Sequence, residues 1–211
     1  NLIPNIIVSA PKNGQELQNL LYTATQQEDY PFVIRYPREM TPDTLNMESN
    51  FEQITIGSWE IVQEGEDILI LAVGSMVQES LKTLPILDEY KVYPTVVNCR
   101  FIKPFAEQLL RNLLNKHRQV FTIEENSLQG GFGQKISSFL ISEGYSQKVS
   151  LYLKGLPDEF ITHGKRSILL EKAGLSVMHL AEWILSAVKN KKILPKFLTE
   201  HSFLGTLFFS L

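Results

Sequence analysis

The chain has 211 residues, 44% of them hydrophobic and 20% charged, enough for one large domain or a domain plus part of another around a real core. A formal net charge of −3, with no basic stripe ahead of Lys189–Lys192, argues against a nucleic-acid-binding face. A single cysteine, Cys99, excludes an internal disulfide, and no run of about twenty uninterrupted apolar residues offers a membrane span.

"NIIVSAP" (Asn5–Pro11) opens the chain as a short buried strand. Asn13 stands three residues before Glu16, the spacing of a capping box, and Leu17, Leu20, Leu21 and Ala24 then recur at helical intervals. "PFVIRYP" (Pro31–Pro37) reads as a second strand, closed by proline. From Glu39 to Gln53 the pattern dissolves into a polar stretch carrying Pro42, as in a linker. Beyond it, "SWEIV" and "DILILAVG" read as two strands joined by a turn in which Gly65 supplies a positive φ. Ser75 to Tyr90 is helical, broken or kinked near Pro85, and "TVVNCRF" is a strand. Pro104 is placed as a first-turn proline of a helix whose face carries Phe105, Leu109, Leu110, Leu113 and Leu114. The strand "QVFTIEEN", a helix through Ile136, Phe139 and Leu140, and the strand "KVSLYLKG" follow. The clearest helical stripe is Val177, Leu180, Ala181, Ile184, Leu185 and Val188. Such alternation implies a mostly parallel sheet covered by helices on both faces.

Four groups of residues invite a chemical reading. Gly130-Gly131-Phe132-Gly133, between a strand and a helix, lacks the third glycine of a dinucleotide fingerprint, and Lys135 stands too early for a Walker loop. The simpler account is a turn that lets the helix pack closely on the sheet, with Glu124 and Glu125 favoured by the helix dipole. Arg35 and Arg38 end a strand, where α/β proteins collect ligands, and either guanidinium suits a phosphate or a salt bridge. Asp158 and His163 lack an accompanying nucleophile signature. Cys99 among Val96, Val97 and Phe101 reads as a buried structural thiol, compatible with a reducing cytoplasm, and His117, His179 and His201 read as structural. The opening residue is Asn1 rather than Met, and with the abrupt first strand this leads us to expect a fragment of something longer.

Taken in order, "PFVIRYPRE", "NCRFIKPF", "TIEENSLQGGFGQKI" and "GLPDEFITHG" resemble the C-terminal third of the 1-deoxy-D-xylulose-5-phosphate synthase family, thiamine-diphosphate enzymes of the transketolase superfamily. The resemblance runs from Ile3 to about Val188. It implies an α/β fold in which a mostly parallel, helix-flanked sheet of the transketolase C-terminal-domain type occupies residues 54–188. The truncated end of an α/β pyrimidine-binding domain (1–40) and a linker (41–53) would precede it, and a tail (189–211) without an assigned role would follow. The resemblance further implies a cytoplasmic homodimer that joins pyruvate to glyceraldehyde 3-phosphate with loss of carbon dioxide, using thiamine diphosphate and magnesium. No nucleic acid and no membrane would be involved. The chain itself would carry no catalytic, cofactor or metal residue and would be inactive alone. Arg38, the second arginine of "RYPR", inherits contact with the acceptor's phosphate, and Arg35 local support. The family usually has glycine next, where this chain has Glu39, a carboxylate placed to compete for Arg38. The alternatives are the C-terminal domain of a transketolase or of the beta component of a 2-oxo-acid dehydrogenase, or a stand-alone dimerisation module.

Overall fold

The computed structural model describes residues 3–41 and 51–189. Strand β1 (Ile7–Ser9), helix α1 (Gly14–Thr25) and strand β2 (Phe32–Ile34) form one strand–helix–strand unit, the two strands pairing in parallel with Ile7 opposite Phe32. Asn13 caps α1 by accepting the Glu16 N–H at 3.0 Å. The reciprocal half of the expected box is displaced by one residue, because the Glu16 carboxylate takes the Lys12 N–H at 2.6 Å. Leu20 of α1 is fully buried against Ile7 and Phe101.

The larger sheet has strand order β3-β5-β4-β7-β8, with β3 (Glu60–Gln63), β4 (Leu69–Ala72), β5 (Thr95–Asn98), β7 (Gln119–Ser127) and β8 (Ser150–Leu156). The pairings from β5 through β4 and β7 to β8 all run parallel, and β3 joins β5 antiparallel as an edge. Every residue of β4 is buried, as a central strand covered on both faces requires. One face carries α4 (Glu107–Leu114) and α5 (Phe132–Ser142), whose Leu110, Leu114, Ile136 and Leu140 meet Leu69, Leu71 and Val97. The opposite face carries α2 (Met76–Lys82), α3 (Leu84–Glu89), α6 (Arg166–Lys172) and α7 (Val177–Lys189), whose Met76, Leu87, Leu170, Leu180 and Ile184 meet Ile70, Val96 and Phe121. The mostly parallel, helix-flanked α/β architecture is therefore the expected one, with β3 as its antiparallel edge.

Three local expectations need correction. "TVVNCRF" is not one strand: β5 ends at Asn98 and β6 (Phe101–Lys103) leaves the larger sheet to pair antiparallel with β1. The chain changes sheets at Cys99–Arg100, so the stretches before and after residues 41–53 share a sheet. β3 and β4 do not pair across the "QEGED" turn, and Gly65 is required by close packing rather than a positive φ, since a Cβ there would lie 2.5 Å from the Pro94 carbonyl carbon. Pro104 follows a cis peptide bond ahead of α4 and is not part of its first turn. The middle of the linker (residues 42–50) and the tail from residue 190, including His201, lie outside the described residues.

Candidate functional site

From β4 the chain passes through α2 and α3 to β5 on one side, then crosses to β7 on the other. The C-terminal ends of β4 and β7 thus flank a point where the strand order reverses, the position at which open α/β sheets leave a crevice for ligands. Beyond β4 come Gly74 and Ser75; near the end of β7 come Glu124 and Glu125. The smaller sheet points its own strand ends here, and Ala10, Arg35 and Tyr36 complete a hollow of about 320 Å³ with Gly74, Ser75 and Glu125.

The glycine turn borders this crevice and is already occupied by a side chain. Phe132 and Gly133 at the start of α5 donate their N–H groups to Glu124, each at 2.8 Å, so the carboxylate satisfies the helix N-terminus that a phosphate would seek. Gly131 makes the approach possible, because a Cβ there would lie 2.6 Å from Glu124 Oε1. Gly130, at φ +70°, reverses the chain. Burial pushes the Glu124 pKa above its ordinary value, opposed by these two N–H groups, by Asn126 and by the charge of Arg35. The glycines turn the chain and admit an internal anion.

A second, larger cleft of about 630 Å³ lies alongside, between the N-terminal part of α1, the outer face of α2 and the segment 36–41. Leu17 and Leu21 give it an apolar wall, and Lys12, Arg38, Lys82 and Arg166 give it four cations. Lys12 pairs with Glu60 at 2.6 Å and Lys82 with Glu79 at 2.8 Å. Arg166 is held by two carboxylates: Nη2 reaches Glu125 at 2.6 Å and Nη1 reaches Glu39 at 2.8 Å. Glu125 is itself fixed, accepting from Ser75 Oγ at 2.7 Å and from Arg166 Nε at 3.0 Å, while its backbone carbonyl accepts from Arg35 at 3.1 Å. Burial works to lower the Arg166 pKa, but Glu125 and Glu39 outweigh it and hold the group above its ordinary value.

Two outcomes bear directly on the sequence reading. Arg38 lines the cleft, is exposed, and pairs with no carboxylate among the described residues. The expected competition from Glu39 is not observed, because Glu39 is turned to Arg166. Arg166 was missed by sequence reasoning, although one signal was present: it opens α6, where the dipole disfavours a cation unless a counter-charge is near.

The remaining candidates are structural or apart from the cleft. Asp158 and His163 are exposed on the loop after β8, and no contact among the described residues joins them. His117, three residues past the end of α4, is buried, and His179 Nδ1 meets Ser176 Oγ at 2.9 Å. Cys99 is fully buried, and burial pushes its thiol well above the usual range. The donor set does not fit a diphosphate–magnesium seat: the helix-start N–H groups at the glycine turn are bonded to Glu124, and no group of three His, Cys, Asp or Glu among the described residues is arranged to hold a metal. No helix among the described residues is long and apolar enough to cross a membrane.

Residues 57–180, which span all five strands of the larger sheet, match the family described as transketolase, C-terminal domain. The chain belongs to this family. Among curated relatives, the 1-deoxy-D-xylulose-5-phosphate synthase of Dehalococcoides mccartyi is 39% identical over 190 residues, covering 90% of this chain and 30% of that protein. The synthase of Dictyoglomus turgidum is 40% identical over 192 residues, covering 91% of this chain and 30% of that one. The chain thus spans about 30% of the length of the curated relatives it matches. Among solved structures, a split-gene transketolase, an inactive beta4 tetramer, superposes with a TM-score of 0.78 at 26% identity over 89% of this chain and 59% of that chain. Transketolase from Campylobacter jejuni shares the fold, with a TM-score of 0.60 at 17% identity over 87% of this chain and 26% of the other. The transketolase C-terminal domain is thereby placed on the sheet whose switch point borders the cleft.

Proposed function

We propose that the chain is the C-terminal part of a 1-deoxy-D-xylulose-5-phosphate synthase, a transketolase-type transferase joining pyruvate to glyceraldehyde 3-phosphate, and that Arg38 contacts the acceptor's phosphate. The observation that carries the activity is the 39% identity to such a synthase over 90% of this chain. The alternatives within the superfamily explain it no better. Arg38 is favoured among the cleft cations because the other three have carboxylate partners within 2.6–2.8 Å. A guanidinium keeps its charge at any working pH and offers a phosphate two parallel hydrogen bonds.

Thiamine diphosphate, held with magnesium by other parts of the enzyme, supplies the carbanion chemistry in this reading. This chain's contribution is to bind and orient the acceptor and to build a homodimer in the cytoplasm. Residues 1–40 belong to the pyrimidine-binding domain and residues 54–188 to the C-terminal domain. The solved relative that is an inactive beta4 tetramer of a split-gene transketolase supports the expectation that this portion alone lacks activity.

The test is Arg38→Ala in the complete enzyme. Losing a charge-assisted contact worth about 1.5–3 kcal/mol should raise the KM for glyceraldehyde 3-phosphate roughly tenfold or more, with the KM for pyruvate within about twofold of its original value. Equal effects on both substrates, or none, would remove the phosphate role.

A further inference from the structure

Glu39 is covalently next to Arg38 on the segment that lines the cleft, so its carboxylate is the anion best placed either to neutralise Arg38 or to repel a phosphate bound there. Its side chain is 43% exposed and its placement depends on its partner, Arg166, whose side chain is only 18% exposed. Arg166 reaches it from a fixed base. Glu125 takes Nε and Nη2 of the guanidinium at 2.6–3.0 Å, and Ser75 holds Glu125 in turn, which leaves Nη1 directed at Glu39. The Arg166–Glu39 pair therefore bridges the end of the smaller sheet to the switch point of the larger one, across 127 residues of sequence.

We propose that Arg166 is a positioning residue that sequesters the Glu39 carboxylate and so keeps Arg38 available to the acceptor's phosphate. The inference rests on the Arg38 reading given above. It assigns Arg166 no contact with substrate: its charge is divided between Glu125 and Glu39. Glu39 is harmless while so held and inhibitory when released.

Steady-state kinetics of the complete enzyme with Glu39→Gln, Arg166→Gln and the double variant separate the possibilities. Arg166→Gln should raise the KM for glyceraldehyde 3-phosphate on the order of tenfold, as expected for an unscreened carboxylate within a few ångströms of the bound anion, while the pyruvate KM stays within about twofold. Glu39→Gln keeps a hydrogen-bond acceptor for Arg166 without the charge, and should leave both constants within about twofold of the original. The double variant should return the acceptor KM to within about twofold, because no carboxylate remains to be restrained. A double variant as impaired as Arg166→Gln overturns the inference, since Arg166 then serves the acceptor or the fold directly. A several-fold fall in acceptor KM for Glu39→Gln alone also overturns it, since Glu39 would already burden Arg38. That second criterion holds even where Arg166→Gln fails to fold. Indifference of the acceptor KM to Arg38→Ala would instead remove the functional reading beneath it, so the two failures are distinguishable.

Discussion

Glu124 is a strand residue that completes a helix. It is almost fully buried, and its two oxygens accept the Phe132 and Gly133 N–H groups at 2.8 Å. Glu124→Gln keeps one acceptor but turns an amide N–H towards a backbone N–H, and should lower stability at neutral pH by about 1.5–3 kcal/mol, read from urea unfolding. An unchanged midpoint would show that the carboxylate does not support the turn. His117 provides a residue-scale pH dependence. Burial, with help from Lys116 and against Asp67, holds its pKa below the ordinary 6.5. The unfolded chain then binds a proton near pH 6.5 that the folded chain refuses, so the stability associated with His117 is complete above 6.5 and is lost as pH falls through its depressed value. Glu124, with a raised pKa, acts in the opposite sense, losing stability as pH rises from the ordinary 4.5 through its own value. Comparing the chain with His117→Asn isolates the histidine: the variant should lose less stability between pH 7.5 and 5.5, and parallel losses would contradict the assignment. Buried Cys99 was legible from its apolar neighbours, whereas Glu124 as a cap was not, because the helix it serves begins eight residues later.

At the scale of elements, α1 is held to the smaller sheet by Leu20 and to the larger sheet by charge. Glu16, 5% exposed, accepts from the Asn98 side chain at 2.8 Å and from Arg100 at 3.3 Å in addition to the Lys12 N–H. Glu60, which pairs with Lys12 at 2.6 Å, lies on the edge strand β3 and meets Asn98 at 3.3 Å, so α1, β3 and the end of β5 share one network. Removing one member strands the others, and Glu16→Ala should cost about 3–5 kcal/mol. Hydrogen exchange should show the loss locally, with amides of Ile7–Thr25 exchanging faster while those of β4 and β7 keep their protection until global unfolding. Uniform acceleration would mean the network does not hold α1 separately. The elements themselves were largely readable: apolar runs marked β4 and β7, and helical spacing marked α7. The division of "TVVNCRF" into β5 and β6 was not, because both halves are apolar and the change of sheet depends on where β1 lies.

In the whole molecule, two sheets direct their strand ends at one crevice, and the connections that create it are long-range. The order β3-β5-β4-β7-β8 follows from alternating strands and helices only once the side of each crossover is known, and periodicity does not carry that information. The same holds for the proposed site: Arg38 is proposed from the motif around it and lines the cleft, while the Glu39–Arg166 pair spans 127 residues and required the fold. The proposed picture is of a transketolase C-terminal domain joined through a shared sheet to the end of a neighbouring domain, with an acceptor cleft beside the junction. Its central claim is that the cleft recognises a phosphate through Arg38. The most direct measurement compares glyceraldehyde 3-phosphate with unphosphorylated glyceraldehyde as acceptors for the complete enzyme, before and after Arg38→Ala. The expected result is a loss of preference for the phosphorylated acceptor of roughly tenfold or more in kcat/KM, with the rate on glyceraldehyde nearly unchanged. A preference that survives the substitution, or a matching fall on both acceptors, would contradict it.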